Sequence, residues 1–195
     1  MLKKVFVGAM ILVFFAAGHA LALKAEINLS PVIGSPAYTE NRASDSSMTE
    51  YVADSSIMPG LGLSVKLPLS GSIAIVLGGQ YNLPVNFTAK KNSTIKGKAQ
   101  VIPFEGNVQY EFDEWYIGGG LNYSMWTASG TNPAATPTDY VYTEVGGLGQ
   151  QIYVGLSKFK MVAFELKAAR MTGYVPAYSI SQAFGAVSLS AVFHF

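Results

Sequence analysis

The chain has 195 residues, and its 13 lysines and arginines nearly balance its 12 aspartates and glutamates. Charged residues make up 13% of the chain, whereas a soluble globular domain has about 25%. These values argue against a soluble enzyme with an ordinary polar surface, against a disordered chain and against a nucleic-acid partner. The chain has no cysteine, which excludes disulfides and thiolate metal sites. The mean hydropathy of +0.29 requires a search for membrane segments.

The first 22 residues have the three parts of a secretory signal peptide. Lys3 and Lys4 precede the apolar run 5–17, and Ala20-Leu21-Ala22 gives a small-residue cleavage pattern. The run has 13 residues, fewer than the roughly 20 that a spanning helix needs. We therefore expect 1–22 to be a cleaved signal peptide and 23–195 to be one domain; an uncleaved anchor is the alternative.

The rest of the sequence contains about eight segments in which apolar and polar residues alternate, the pattern of β-strands with one apolar face. They lie near 23–32, 57–67, 72–82, 99–112, 115–126, 147–158, 159–171 and 183–195.

Segment 99–112 shows the alternation most clearly. One face carries Ile102, Phe104, Val108, Tyr110 and Phe112, and the other carries Glu105, Asn107, Gln109 and Glu111. In the last segment apolar residues at 187, 189, 191, 193 and 195 alternate with Ser188, Ser190 and His194. Each predicted strand thus has one apolar and one polar face.

A soluble sandwich or a lipocalin would show the same alternation, so the direction of the polar face decides the class. Charges of both signs on the polar faces suit a closed interior, and bulky aliphatic residues with aromatics near the strand ends suit a lipid-facing band. Connections alternate between short ones, at 68–71, 113–114 and Lys158, and long ones, at 33–56, 83–98, 127–146 and 172–182. Since only a closed sheet satisfies its backbone groups in a bilayer, we predict an all-β, eight-stranded antiparallel transmembrane β-barrel. The short turns would lie in the periplasm and the long loops outside the cell.

Two features resemble a known family. The alternating C-terminal strand, Val187-x-Leu189-x-Ala191-x-Phe193-x-Phe195, resembles the assembly signal of outer-membrane proteins, and 101–123, with Tyr116-Ile117-Gly118-Gly119-Gly120, resembles a hairpin common among them. The mature chain is therefore similar to the small eight-stranded outer-membrane β-barrel family (OmpA/OmpX-like, outer membrane protein beta-barrel domain). The resemblance implies a location in the bacterial outer membrane and an encounter with its assembly machinery. The chain ends at the barrel, so we expect no peptidoglycan-binding domain.

The charged residues of the polar faces form the first candidate site. An eight-stranded barrel is just wide enough for side chains to fill it, and buried charges persist only when they are paired. We expect a polar network in the lumen, helped by Gln80, Asn107 and Gln109, that either plugs the barrel or lines a narrow ion path. Its charged members are Glu26, Lys66, Glu105, Glu111, Glu165 and Lys167.

A group of lysines in the second long loop forms the second candidate site: Lys90, Lys91, Lys96 and Lys98. No acidic residue lies near them in the sequence. They could bind lipopolysaccharide phosphates, or they could be ordinary solvated charges.

Catalysis has little support in the sequence. A hydrolase resembling the lipid A deacylases needs a serine, a histidine and an acid in contact, and the mature chain has only His194, which we place at the periplasmic end. Aromatic residues at the strand ends are expected to form two interfacial girdles: Trp115, Tyr116, Phe159 and Phe193 at one end, and Tyr81, Tyr123, Tyr174 and Phe184 at the other.

We therefore expect a monomeric outer-membrane barrel that serves a structural, adhesive or binding role through its outer loops. It would contact outer-membrane lipid and lipopolysaccharide and would use no cofactor and no metal. A narrow, low-conductance pore is the first alternative, and a lipid-modifying enzyme and a soluble barrel are the others.

Overall fold

The computed structural model describes residues 26–42, 47–55, 57–131, 139–159, 161–175 and 180–195. The predicted signal peptide and parts of the predicted loops, at 43–46, 132–138 and 176–179, lie outside the described residues. Within the described part of the chain, no helix is long and apolar enough to cross a membrane.

The described chain is a single antiparallel sheet of ten strand segments. They are β1 (Glu26–Arg42), β2 (Ser47–Ala53), β3 (Met58–Ser70), β4 (Ile73–Asn82), β5 (Val85–Ala89), β6 (Asn92–Glu111), β7 (Trp115–Thr131), β8 (Asp139–Phe159), β9 (Val162–Val175) and β10 (Ile180–His194).

Two of the eight expected strands are interrupted, which explains the ten segments. β2 and β3 form one interrupted strand, since both pair with β1. β4 and β5 form the other, since both pair with β6. The two interrupted strands are neighbours, because β3 pairs with β4 and β2 pairs with β5. The interruptions, at 54–57 and 83–84, lie side by side. Hydrogen bonds join their flanks: the Asp54 amide donates to Asn86 O at 2.8 Å, and the Leu83 amide donates to Pro59 O at 2.9 Å. Pro84 has no amide hydrogen to continue the ladder. Eight strands therefore form the wall along its whole length.

The sheet closes on itself because β10 pairs with β1 from Asn28↔His194 to Arg42↔Ile180. A row of paired residues that leaves β1 at Glu26 passes through all eight strands and returns to β1 at Pro36, ten residues further along. A stagger of this size in an eight-stranded barrel gives a strand tilt of about 40°.

The two ends of the barrel differ. The end where β1 begins and β10 stops, here called the terminal end, has the tight connections expected from the sequence, at 71–72, at 112–114 and between Phe159 and Val162. Gly71, at φ 51°, makes the first of these turns possible. The opposite end, here called the distal end, corrects the prediction of long loops. Most of 33–56, 83–98, 127–146 and 172–182 is paired strand.

The longer strands were missed because the polarity of the two faces reverses along them. In β6 the outward residues change from Phe104 to Lys98 and Lys96, while the inward residues change from Glu105 to the buried Val101. In this distal stretch the outward face of the wall is polar and the inward face is apolar. A search for one uninterrupted alternation stops where the phase reverses.

Candidate functional site

The lumen holds the six charged residues predicted from the sequence, and the structure divides them into two triads. In the terminal triad, Lys66 Nζ lies 2.7 Å from Glu26 Oε2 and 2.8 Å from Glu111 Oε1. Gln109 also donates to Glu111 at 2.9 Å. The Lys66 side chain is 12% exposed, whereas Glu26 and Glu111 are 40% and 36% exposed. This triad therefore lies at the mouth of the barrel.

The central triad lies deeper. Lys167 Nζ is 2.9 Å from Glu105 Oε2 and 3.7 Å from Glu165 Oε1, and all three side chains are between 10% and 13% exposed. The Tyr116 hydroxyl donates to Glu165 at 3.1 Å. Removing one member of such a buried group leaves an unpaired charge in a medium that solvates it poorly.

Two tyrosines separate the triads. The rings of Tyr116 and Tyr153 meet edge to face with centroids 6.0 Å apart. Each ring covers the glycine opposite it in the β7–β8 ladder, Tyr116 over Gly155 and Tyr153 over Gly118, where a Cβ atom would collide with the ring. The two glycines thus create the space that the two rings occupy. The Tyr153 hydroxyl also donates to Gln109 at 3.2 Å.

A layer of neutral polar side chains continues the network toward the distal end. The Gln151 amide donates to Asn107 at 2.7 Å, the Asn122 amide donates to Gln151 at 3.2 Å, and the Ser124 hydroxyl donates to Asn122 at 3.3 Å. All four residues are buried. Satisfied polar networks of this kind hold a barrel interior in one arrangement.

Little space remains among these layers. A cavity of about 50 Å³ lies between the triads, lined by residues that include Lys66, Asn107 and Lys167. A volume of this size holds a few water molecules.

An apolar cluster fills the distal half of the lumen, and the sequence prediction missed it. Its largest fully buried side chains are Trp126, Phe87 and Phe184. Tyr38 joins it, with ring centroids 5.4 Å from Phe87 and 6.2 Å from Trp126. Its remaining buried members are Tyr51, Met58, Val85, Ala89, Ala99, Val101, Ala128 and Met171. The alternation of side chains along β7 could have predicted it. Trp126 and Asn122 lie an even number of positions apart, so both side chains face the lumen.

The same parity corrects the predicted girdles. Trp115, Phe159, Phe193, Tyr81 and Tyr123 lie on the outer surface, but Tyr116 and Phe184 are buried inside the lumen. The side chain of Tyr174 lies outside the described residues. Position along a strand alone does not distinguish an interfacial aromatic residue from a lumenal one.

The four predicted lysines lie at the distal rim in different surroundings. Lys90 has an acidic partner after all: its Nζ is 2.6 Å from Glu50 Oε2, because β2 lies beside β5. The hydrogen bond and the positive charge of Lys90 hold the pKa of Glu50 below its usual range. Lys91, Lys96 and Lys98 are exposed, the last two on the outward face of β6.

His194 lies at the terminal end, with Nδ1 2.7 Å from the Asn28 side-chain oxygen. It borders a cavity of about 290 Å³ that opens at the mouth of the barrel and is also lined by Glu26, Lys66 and Glu111. Among the described residues, no group of three or more histidine, aspartate or glutamate side chains is placed to hold a metal ion.

Comparisons with known proteins identify the fold. No protein-family model matches the sequence, and no curated protein matches it. Among solved structures, the neisserial surface protein NspA is 12% identical, with a TM-score of 0.57 over 88% of this chain and 99% of NspA. AlkL, an outer membrane protein, is 13% identical, with a TM-score of 0.53 over 88% of this chain and 90% of AlkL. The attachment invasion locus protein Ail of Yersinia pestis is 7% identical, with a TM-score of 0.52 over 87% of this chain and 99% of Ail.

Proposed function

Because the chain has the fold of the small outer-membrane β-barrel proteins, we propose that it is an integral protein of the bacterial outer membrane that binds partners at its distal rim and conducts nothing through its lumen. In this proposal, the terminal end faces the periplasm and the distal end faces the cell exterior. The outward aliphatic side chains along the strands support a lipid-facing band between them.

The filled lumen is the observation that carries the proposal. Two ion-paired triads, a hydrogen-bonded amide layer and an apolar cluster follow one another along the barrel axis. An ion would need to displace the side chains of each layer in turn, because the cavity between the triads is only about 50 Å³. This supports a binding or structural role over the pore alternative.

The exposed lysines of β6 provide the binding chemistry. Lys98 lies opposite Asn86, and Lys96 lies opposite Thr88, in the β5–β6 ladder, so ammonium and amide groups share one outward face. The Thr88 hydroxyl on this face donates to the Asp54 carboxylate at 2.8 Å, which leaves the two lysines and Asn86 as its anion-binding groups. At the strand tilt of this barrel, the two lysines stand more than about 10 Å beyond the level of Tyr123. That height suits phosphate groups on the sugar part of lipopolysaccharide, to which ammonium groups bind strongly. Ail, which shares the fold, was crystallised with the heparin analogue sucrose octasulfate, an anionic sugar.

Planar-bilayer recording tests the first part of the proposal. We expect no resolvable single-channel current from the refolded wild type, and none from Glu105→Gln or Lys167→Gln protein that remains folded. A steady wild-type conductance that changes in these two variants would show a path through the central triad and would overturn the proposal in favour of the pore.

Lipopolysaccharide retention during purification tests the second part. Lys96→Gln combined with Lys98→Gln should lower the retained lipopolysaccharide several-fold, because two charge-assisted contacts are lost. Lys158→Gln, a change of one exposed lysine at the terminal end, is the control and should retain as much as wild type. Equal retention by all proteins would contradict a binding role for the rim lysines.

A further inference from the structure

The outward face of β9 carries an arginine where the lipid-facing band ends. Phe164, Leu166 and Ala168 precede Arg170 on this face, and all four residues are exposed. The strand tilt places Arg170 within about 3 Å of the height of Tyr123, which belongs to the distal girdle. Its ladder partners are Gln150 and Gly185. An amide and a glycine therefore flank the guanidinium, and no carboxylate occupies either position.

A slot in the barrel wall leads away from Arg170 toward the terminal end. Ala168 lies two residues before Arg170, between its ladder partners Ile152 and Val187. Those two strands stand about 9.5 Å apart, and both side chains project outward, being 59% and 54% exposed. The small side chain of Ala168 thus leaves an apolar gap between two branched aliphatic walls, directly below a positive charge.

The slot belongs to a depression of about 770 Å³ on the outer surface, a volume within the range of small-molecule sites. Gly185 widens it beside the guanidinium, since a Cβ atom added there would meet only the Ala169 carbonyl, at 4.0 Å. Leu121 and Gln150 complete the side toward β7. The depression joins an apolar floor to a charged and hydrogen-bonding upper edge.

We propose that this depression binds one molecule of the lipid part of lipopolysaccharide, with a phosphate on Arg170 and Gln150 and one acyl chain along Ala168 between Ile152 and Val187. Charge complementarity selects this occupant. An exposed arginine at the edge of the lipid band faces the level of lipid headgroups, and its planar guanidinium suits a phosphate. An arginine at the edge of the lipid band costs far less free energy than one at the middle of the bilayer, and a bound phosphate offsets that cost.

This inference rests on the proposed outer-membrane location but not on the rim lysines, which are assigned to the sugar part of the molecule. Purified lipid A with two phosphates, which lacks those sugars, is therefore the probe. Native mass spectrometry of the detergent-solubilised protein should show that lipid A binds to the wild type and to the Lys96→Gln, Lys98→Gln protein alike. Arg170→Gln should weaken binding about tenfold, the loss expected for one strong charge-assisted contact. Arg170→Lys should recover part of it, and lipid A without phosphates should bind the wild type as weakly as Arg170→Gln binds the intact lipid.

A matched pair of glycine substitutions tests the slot. Gly185→Leu fills the depression, whereas Gly106→Leu makes the same change on β6, where an added Cβ would meet only Leu77 at 3.7 Å. We expect Gly185→Leu to lower lipid A binding severalfold and Gly106→Leu to leave it unchanged. Equal binding by Arg170→Gln and wild type, or by the two leucine variants, would overturn the inference. That result would leave the lysine proposal standing, since the lysines have their own test.

Discussion

The two lysines of the lumen differ in the solvent exposure of their carboxylate partners. Lys167 and both its partners are nearly buried, whereas the partners of Lys66 are more than one-third exposed. An unpaired carboxylate at the mouth is solvated by water, but one beside Tyr116 is not. The same ion-pair chemistry therefore contributes unequally to stability in the two triads.

Substitution of each lysine by methionine measures this difference. Lys167→Met should lower the free energy of unfolding by about 3–5 kcal/mol, the usual effect of breaking a buried ion pair. Lys66→Met should lower it by only about 1 kcal/mol, because solvent screens its exposed partners. Urea unfolding in lipid vesicles gives both values, with Lys158→Met as the exposed control. If Lys167→Met matched that control, the central triad would have no part in stability.

The identity of the lumenal charges was predictable residue by residue, whereas their partners were not. Period-two parity placed Glu105 and Lys167 on inward faces, but these residues lie 62 positions apart in the chain, and the distance between them depends on the register of the strands between β6 and β9. The pairing of Lys90 with Glu50 depends in the same way on β2 meeting β5. The same parity places Tyr116 and Phe184 on inward faces, where both are buried.

At the scale of strands, the sequence indicated the number of strands around the barrel and the tight turns, but not the strand lengths. The outward face of a membrane strand is apolar only where it meets lipid. Beyond that level, Lys96 and Lys98 face outward while Val101 packs inside, so the alternation reverses although the hydrogen-bonded ladder continues. A strand in such a barrel is better predicted as two alternating stretches of opposite phase.

Trypsin treatment of intact cells tests these longer strands. Lys96 and Lys98 are exposed, but their backbones are held between β5 and β7, and a protease requires an extended, unpaired substrate. We expect cleavage after Lys90 or Lys91, in the turn between β5 and β6, and little cleavage after Lys96 or Lys98. Mass spectrometry of the released fragments identifies the sites. Equal cleavage at all four lysines would show that β6 begins well after Asn92.

At the scale of the whole barrel, Phe195 lies where the sheet closes. The Phe195 amide donates to Ile27 O at 3.0 Å, next to the β1–β10 seam, while its ring is 73% exposed. Four residues of the predicted assembly signal, Val187, Leu189, Ala191 and Phe193, lie on the outward face of β10, and the fifth, Phe195, directly follows that strand. Its residues are therefore accessible to a partner, and the terminal ring contributes little packing within the barrel.

Phe195→Ala should for this reason reduce assembly in cells without comparable loss of stability. We expect several-fold less protein in the outer-membrane fraction, and a change of less than about 1 kcal/mol in the unfolding free energy of refolded protein, as is usual for an exposed side chain. Quantitative immunoblotting and urea unfolding give the two numbers. A parallel loss in both would make Phe195 a stability residue instead of an assembly signal.

The apolar cluster closes the lumen at the distal end, whereas the terminal end is open. The two triads communicate with water through the mouth beside His194 and Glu111, while Trp126, Phe87 and Phe184 separate them from the opposite side. Water in the lumen therefore exchanges with the compartment at the terminal end. In the proposed orientation that compartment is the periplasm, so water that enters the lumen reaches Lys66 before Lys167 and comes from the periplasmic side.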